Sequence, residues 1–164
     1  MAVKKILPLG NPMLYEKSEE ISTYELKHVK LIVADLHDTL IDFRKQYNCG
    51  RAIAAPQIGI MKRLIYMYID KPIVFINPIL EIYNSEMFEV WDDCMSFPSL
   101  LVRVKRYKNC RLRFKDINWK DRELTFSDDL SELIQHEYDH LEGILATQRA
   151  VDQFSFVLKD HVKV

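Results

Sequence analysis

The chain has 164 residues, of which 48% are hydrophobic, 11% aromatic and 29% charged, and its 23 basic and 24 acidic side chains leave a net charge of −1. That length predicts one domain over 1–164, with apolar residues enough for a core that needs no disulfide. The charge balance gives no electrostatic case for DNA or a membrane surface, and no apolar run approaches the ~20 residues of a membrane span.

Residues 1–23, punctuated by Pro8, Gly10 and Pro12, read as an irregular arm without the apolar stretch of a signal peptide. Between 25 and 46, Leu26, Val29, Ile32, Val33, Leu36, Leu40 and Phe43 recur at three- and four-residue steps, which predicts a helix ended by Asn48-Cys49-Gly50. Short β-branched and aromatic runs predict strands at Arg63–Ile69, Ile73–Asn77, Ile79–Tyr83, Glu86–Trp91 and Leu101–Lys105. Another is predicted at Cys110–Lys115, where Cys110, Leu112 and Phe114 alternate with Arg111, Arg113 and Lys115 in a half-buried edge pattern. Asp116–Arg122 reads as a polar connection and Glu123–Phe126 as a short strand. Ser127 stands as an N-cap before Asp128 and Asp129, Leu130, Leu133, Ile134 and Leu141 mark one face, and Gly143 stands as the stop, so a helix is expected over 128–142. The last twenty residues carry no clear pattern. The fold class expected is α+β.

The 128–142 helix carries His136-Glu137-Tyr138-Asp139-His140, an HExxH pattern. Histidines four apart share a helix face, so both imidazoles can reach one ion, and Glu137 can take a proton from a water there. The same pattern also fits an amphipathic helix with two surface histidines. A catalytic metal normally has a third protein ligand. Position 146 is Ala and no glutamate follows Glu142, which excludes the metzincin and thermolysin arrangements. Asp152, Asp160 and His161 remain downstream, and Cys94 is the best candidate upstream; a thiolate with two imidazoles suits Zn²⁺ or Fe²⁺. Three cysteines do not pair off, which fits a reducing compartment. Cys110 reads as a core residue, and Cys49 is assigned no role.

Nearly the whole chain resembles the peptide deformylase family. Gly50-Arg51-Ala52-Ile53-Ala54-Ala55-Pro56-Gln57 is similar to GxGxAAxQ, Asp92-Asp93-Cys94-Met95-Ser96 to EGCLS, and Gln135–Gly143 to QHExDHLxG, in the family's order. The resemblance implies Cys94, His136 and His140 as ligands of one divalent metal, Fe²⁺ in the cell with Zn²⁺ or Ni²⁺ able to replace it. It implies a metal-activated water that attacks the formyl carbon of a formyl-methionyl peptide, with Glu137 as general base and the Gln57 amide and Met95 backbone N–H stabilising the oxyanion. It further implies a cytoplasmic monomer with transient ribosome contact, Gly50, Arg51, Ala52 and Asp93 beside the substrate, and an ion pair between Asp92 and Arg106. An apolar pocket for methionine is expected around Ile134, with Leu100–Val102 and Cys110–Leu112 as further walls.

Four residues depart from the family pattern. Ala52 and Asp93 replace glycines and raise the question of left-handed backbone, Arg51 replaces an aliphatic residue, and Asp92 replaces Glu. Asp93 is expected to pair with Arg51. The ligands, the base and the glutamine are all retained, which favours an active enzyme. The alternatives are altered N-acyl specificity or a weak or inactive peptide-binding relative.

Overall fold

The computed structural model describes residues 2–161. Among these residues eight strands form two antiparallel sheets, packed with two α-helices. Helix α1 (Leu26–Tyr47) precedes β1 (Ala52–Ala54), β2 (Leu64–Tyr68) and β3 (Pro72–Glu81). Strands β4 (Met87–Asp93), β5 (Leu100–Tyr107), β6 (Asn109–Lys115) and β7 (Asp121–Ser127) lead to helix α2 (Asp128–Leu141), and β8 (Phe156–Leu158) closes the series. The larger sheet has the order β1-β2-β3-β6-β7 and the smaller β4-β5-β8.

The centre of the larger sheet is covered on both faces, which explains why β2 reads as an unbroken apolar run. Leu64, Tyr66, Ile53 and Ile76 pack with Ile32, Leu36 and Leu40 of α1. Their neighbours Ile65, Met67 and Phe75 point the other way and pack with Leu133, Ile134 and Leu141 of α2. Helix α2 also meets the smaller sheet, where Ser131 Oγ and Gln135 Nε2 donate to the carbonyl of Tyr107 at 2.8 and 2.7 Å.

Several expectations need correction. The Ile73–Asn77 and Ile79–Tyr83 runs are largely one strand, β3, whose register shifts between Ile76 and Ile79. Asn77 adopts φ 48°, a left-handed value that asparagine tolerates, and its side chain bonds both the N–H and the carbonyl of Ile21 at 2.8 Å. Strand β6 lies between β3 and β7 and is no edge, although Cys110, Leu112 and Phe114 do point inward. Ser127 occupies the N-cap position without capping; its hydroxyl donates to Asn109 Oδ1 instead. The arm is ordered by 3₁₀ turns at Pro12–Tyr15 and Thr23–Glu25, and the patternless tail supplies β8.

Candidate metal centre and cleft

The middle of α2 turns a row of polar side chains towards the gap between the sheets. His136, Glu137, Asp139 and His140 are all buried there. His136 Nε2 and His140 Nε2 lie 3.2 Å apart, and Cys94 Sγ, from the turn after β4, lies 3.3 Å from His140 Nε2. All three donor atoms fall within 4.8 Å of one another. Tetrahedral bonds of about 2.0–2.3 Å to sulfur and nitrogen require donor separations of roughly 3.3–3.6 Å, so this buried set fits a divalent ion. The Nδ1 atoms of both imidazoles have no aligned hydrogen-bond partner among the described residues.

Behind the ligands runs a chain of charges. Asp92 Oδ1 lies 2.7 Å from His136 Nδ1, and Asp92 Oδ2 accepts from Arg106 Nη2 at 2.8 Å. Arg106 Nη1 continues to Asp139 Oδ2 at 2.5 Å, and Arg149 Nη2 reaches Asp139 Oδ1 at 2.8 Å. Burial opposes ionisation of Asp92, but His136 and Arg106 outweigh it and hold its pKa at about 2. Burial likewise works against a charged His136, yet Asp92 and the Cys94 sulfur raise its pKa well above the usual histidine value. His140 goes well below that value through burial, helped by the charge of His136. Burial pushes Glu137 up to about 7, and its Oε2 has no partner among the described residues.

Gln57 enters from the 3₁₀ turn Ala55–Ile58 that follows β1. Its Oε1 accepts from the Ala54 N–H at 3.0 Å, which turns Nε2 towards Cys94 Sγ at 3.6 Å and Ser96 Oγ at 3.4 Å. The Met95 N–H has no acceptor among the described residues. The N-terminal arm ties both loops down: Leu7 N–H donates to the Gln57 carbonyl at 2.8 Å and Leu9 N–H to the Ser96 carbonyl at 2.9 Å. A cleft of about 510 Å³ opens onto this centre, between Arg51 and Ala52 on one side and Glu132, Leu133 and His136 on the other.

The family model for polypeptide deformylase matches residues 3–155. A peptide deformylase of Pseudothermotoga lettingae is 38% identical over 144 residues, 87% of this chain and 80% of the relative. A crystal structure of the Synechococcus elongatus peptide deformylase in complex with actinonin superposes with a TM-score of 0.84 at 27% identity, covering 94% of this chain and 86% of that one. A Met-Ala-Ser-bound peptide deformylase of Acinetobacter baumannii gives 0.82 at 26% identity, covering 90% and 98%. The chain belongs to the polypeptide deformylase family. It is therefore a member of a family of metal-dependent hydrolases, with the α+β fold of that family.

Within a deformylase frame, the departures from the family motifs take on definite geometry. Neither Ala52 nor Asp93 has positive φ; both lie in strands, Ala52 opposite Met67 and Asp93 opposite Leu101, so neither strains the backbone. Gly50 does need its residue type, with φ 109° and Leu40 and Phe43 side-chain atoms 3.3 Å from where a Cβ would stand. Asp93 does not pair with Arg51. It accepts from Lys159 Nζ at 2.6 Å, because the tail returns alongside β5. Arg51 is held by both carboxylate oxygens of Asp129, and its Nη2 lies 3.9 Å from Glu132 Oε2. Ile134 faces the core between α2 and the larger sheet, and neither it nor 100–102 nor 110–112 lines the cleft. The sequence reading missed Glu132, Asp129, Asp139 and Lys159. Only Glu132 and Asp139 carried a signal, being one helical turn from His136 on either side.

Proposed function

We propose that this protein hydrolyses the N-terminal formyl amide of peptides, releasing formate, and that formyl-methionyl peptides of newly made proteins are the class its resemblance implies. The observation that carries this reading is the convergence of Cys94, His136 and His140 beside a buried carboxylate, Glu137, with the Gln57 amide aimed at the same point. These three residues would hold one divalent ion, Fe²⁺ in the cell, with Zn²⁺ or Ni²⁺ able to take its place. A metal bound there supplies an acidified water and polarises the formyl carbonyl. Glu137, raised towards neutrality by burial, is suited to accept a proton at its free Oε2 and return it to the leaving amine. Gln57 Nε2, whose amide is held by the Ala54 N–H, and the Met95 N–H, which has no acceptor among the described residues, would donate to the developing oxyanion. Asp92 and Arg106 orient His136 from behind.

In this reading 1–164 act as a single domain and a monomer in the cytoplasm, in transient contact with ribosomes. The inactive-relative alternative rested on Ala52 and Asp93, and since neither has positive φ the backbone-strain argument for it falls away. Formate release from formyl-Met-Ala-Ser by protein loaded with Fe²⁺ or Ni²⁺ tests the proposal, with Glu137→Ala as control. Turnover abolished in the control is the expected result; no turnover of this or any other formyl peptide by fully metallated wild-type protein would overturn it.

A further inference from the structure

The cleft continues from the ligand cluster one turn towards the start of α2, where Glu132 and Leu133 precede His136 by four and three residues on the same side of the helix. Any group attached next to the formyl-bearing nitrogen must lie close to His136, and this stretch of cleft is adjacent. Its polar lining is unevenly matched. Lys159 is bonded to Asp93, Arg44 to the carbonyls of Gly50 and Tyr68, Asp92 to Arg106, and Arg51 to Asp129. Glu132 is different. It is only 8% exposed, and its carboxylate makes no hydrogen bond among the described residues. Its nearest cation, Arg51 Nη2, stands off at 3.9 Å because Asp129 already holds that guanidinium. Among the described residues, Glu132 and Glu137 are thus the cleft carboxylates that no donor holds, whereas Asp92 and Asp93 are each paired with a cation.

Neither Glu132 oxygen is sealed from solvent, so water in the open cleft serves this carboxylate, and a ligand that covers it without donating excludes that water at a cost. A methionine thioether is such a ligand, because it has no N–H or O–H to offer. An anionic side chain would face Glu132, Asp129 and Asp92 while the cations that line the cleft, Arg44, Arg51 and Lys159, are all engaged. A basic side chain meets both demands: its aliphatic stem can lie on Ala52 and Leu133, and its charged head can reach Glu132.

We propose that Glu132, framed by Arg51 and Asp129, is a specificity-determining residue, and that the first side chain of the preferred formyl peptide is basic, lysine-like or arginine-like, rather than methionine. The inference rests on the deformylase reading for the reaction and changes only the side chain that the site selects.

The test compares formyl-Lys-Ala-Ser, formyl-Met-Ala-Ser and a norleucine analogue, which keeps a four-carbon apolar chain without the ammonium. Values of kcat/KM are measured for metal-loaded wild type, Glu132→Gln and Glu132→Leu. Calorimetry on metal-loaded Glu137→Gln protein, with and without the Glu132 changes, gives Kd for the same intact peptides. The lysyl peptide should exceed the norleucyl one by about tenfold or more in both quantities, as expected for a charge-assisted hydrogen bond. The preference should shrink in Glu132→Gln and reverse in Glu132→Leu. Equal or better use of the norleucyl or methionyl peptide by wild type overturns the inference and leaves the deformylase reading standing. Preferential binding of the lysyl peptide without turnover of any peptide supports the subsite and sinks the deformylase reading. Should Glu132→Gln, the isosteric variant, lose metal while keeping the lysyl preference, Glu132 is a support for His136 and the inference fails.

Discussion

Individual side chains here act through what burial does to their charge. Glu137 is a carboxylate placed in the α2 interior, where desolvation lifts it to about 7, while Asp92 a short distance away stays ionised because His136 and Arg106 face it. Glu137→Gln keeps the shape and removes the proton acceptor. It should lower kcat for formyl-peptide hydrolysis by about 10²–10⁴-fold and leave metal content at wild-type level, checked by formate assay and elemental analysis. Arg106 is only 3% exposed and bridges two buried carboxylates. Arg106→Ala leaves Asp92 and Asp139 facing each other without that cation, so urea unfolding should show a loss of about 3–5 kcal/mol. A milder case lies at the surface. Burial of Glu142 resists ionisation, but Lys17 and Arg63 outweigh it and hold the carboxyl below its usual value. A depressed folded pKa means that the contribution is complete above the unfolded value of about 4.3 and disappears as pH falls through the folded one. Glu142→Gln should therefore cost up to about 1 kcal/mol at neutral pH, and stability curves of variant and wild type should converge at acid pH.

At the scale of elements, the site depends on pieces that hold one another in place. The N-terminal arm passes directly over the end of α2, where Ser18 N–H donates to the Leu141 carbonyl at 2.9 Å. Gly143 makes the passage possible: its φ is +71°, and a Cβ there would stand 2.5 Å from the Tyr15 carbonyl oxygen. Gly10 also has positive φ, at +94°, but nothing lies within 4 Å of its Cβ position. Gly10→Ala should cost about 1–2 kcal/mol of backbone strain, and Gly143→Ala clearly more, since the arm must also move. The difference between their urea midpoints measures the crowding term. The helices and most strands were legible in the sequence because each has a one-sided or continuous apolar pattern that packing then uses. The bulge at Asn77 was not, since its cause is a bond to Ile21, 56 residues away. Strand β8 was hidden because three residues, mostly exposed, leave no period to read. In the site, the HExxH spacing is local and visible, whereas the pairings Arg51–Asp129 and Lys159–Asp93 span 78 and 66 residues and exist only once the chain has folded.

The molecule as a whole is joined at the metal cluster. Gln57 follows β1 of the larger sheet, Cys94 follows β4 of the smaller one, and the two histidines ride on the helix that both sheets touch. No single layer holds all the donors, so an ion that bridges them ties the smaller sheet to α2 and to the core beneath it. An ion that binds the folded chain and not the unfolded one stabilises it by mass action, by about 4 kcal/mol at a thousandfold excess over Kd. For a protein of this size each kcal/mol moves the melting temperature by about 2–4 °C. Removal of the metal with a chelator should then lower Tm by roughly 8–16 °C, with the melt still cooperative, and added Ni²⁺ or Zn²⁺ should restore it. Cys94→Ala is the control, because it removes one donor from the turn after β4 while leaving α2 intact. Its Tm should lie near that of the chelated wild type and respond little to added metal. A wild-type Tm indifferent to chelation would mean that the three donors do not share an ion, whatever the activity measured.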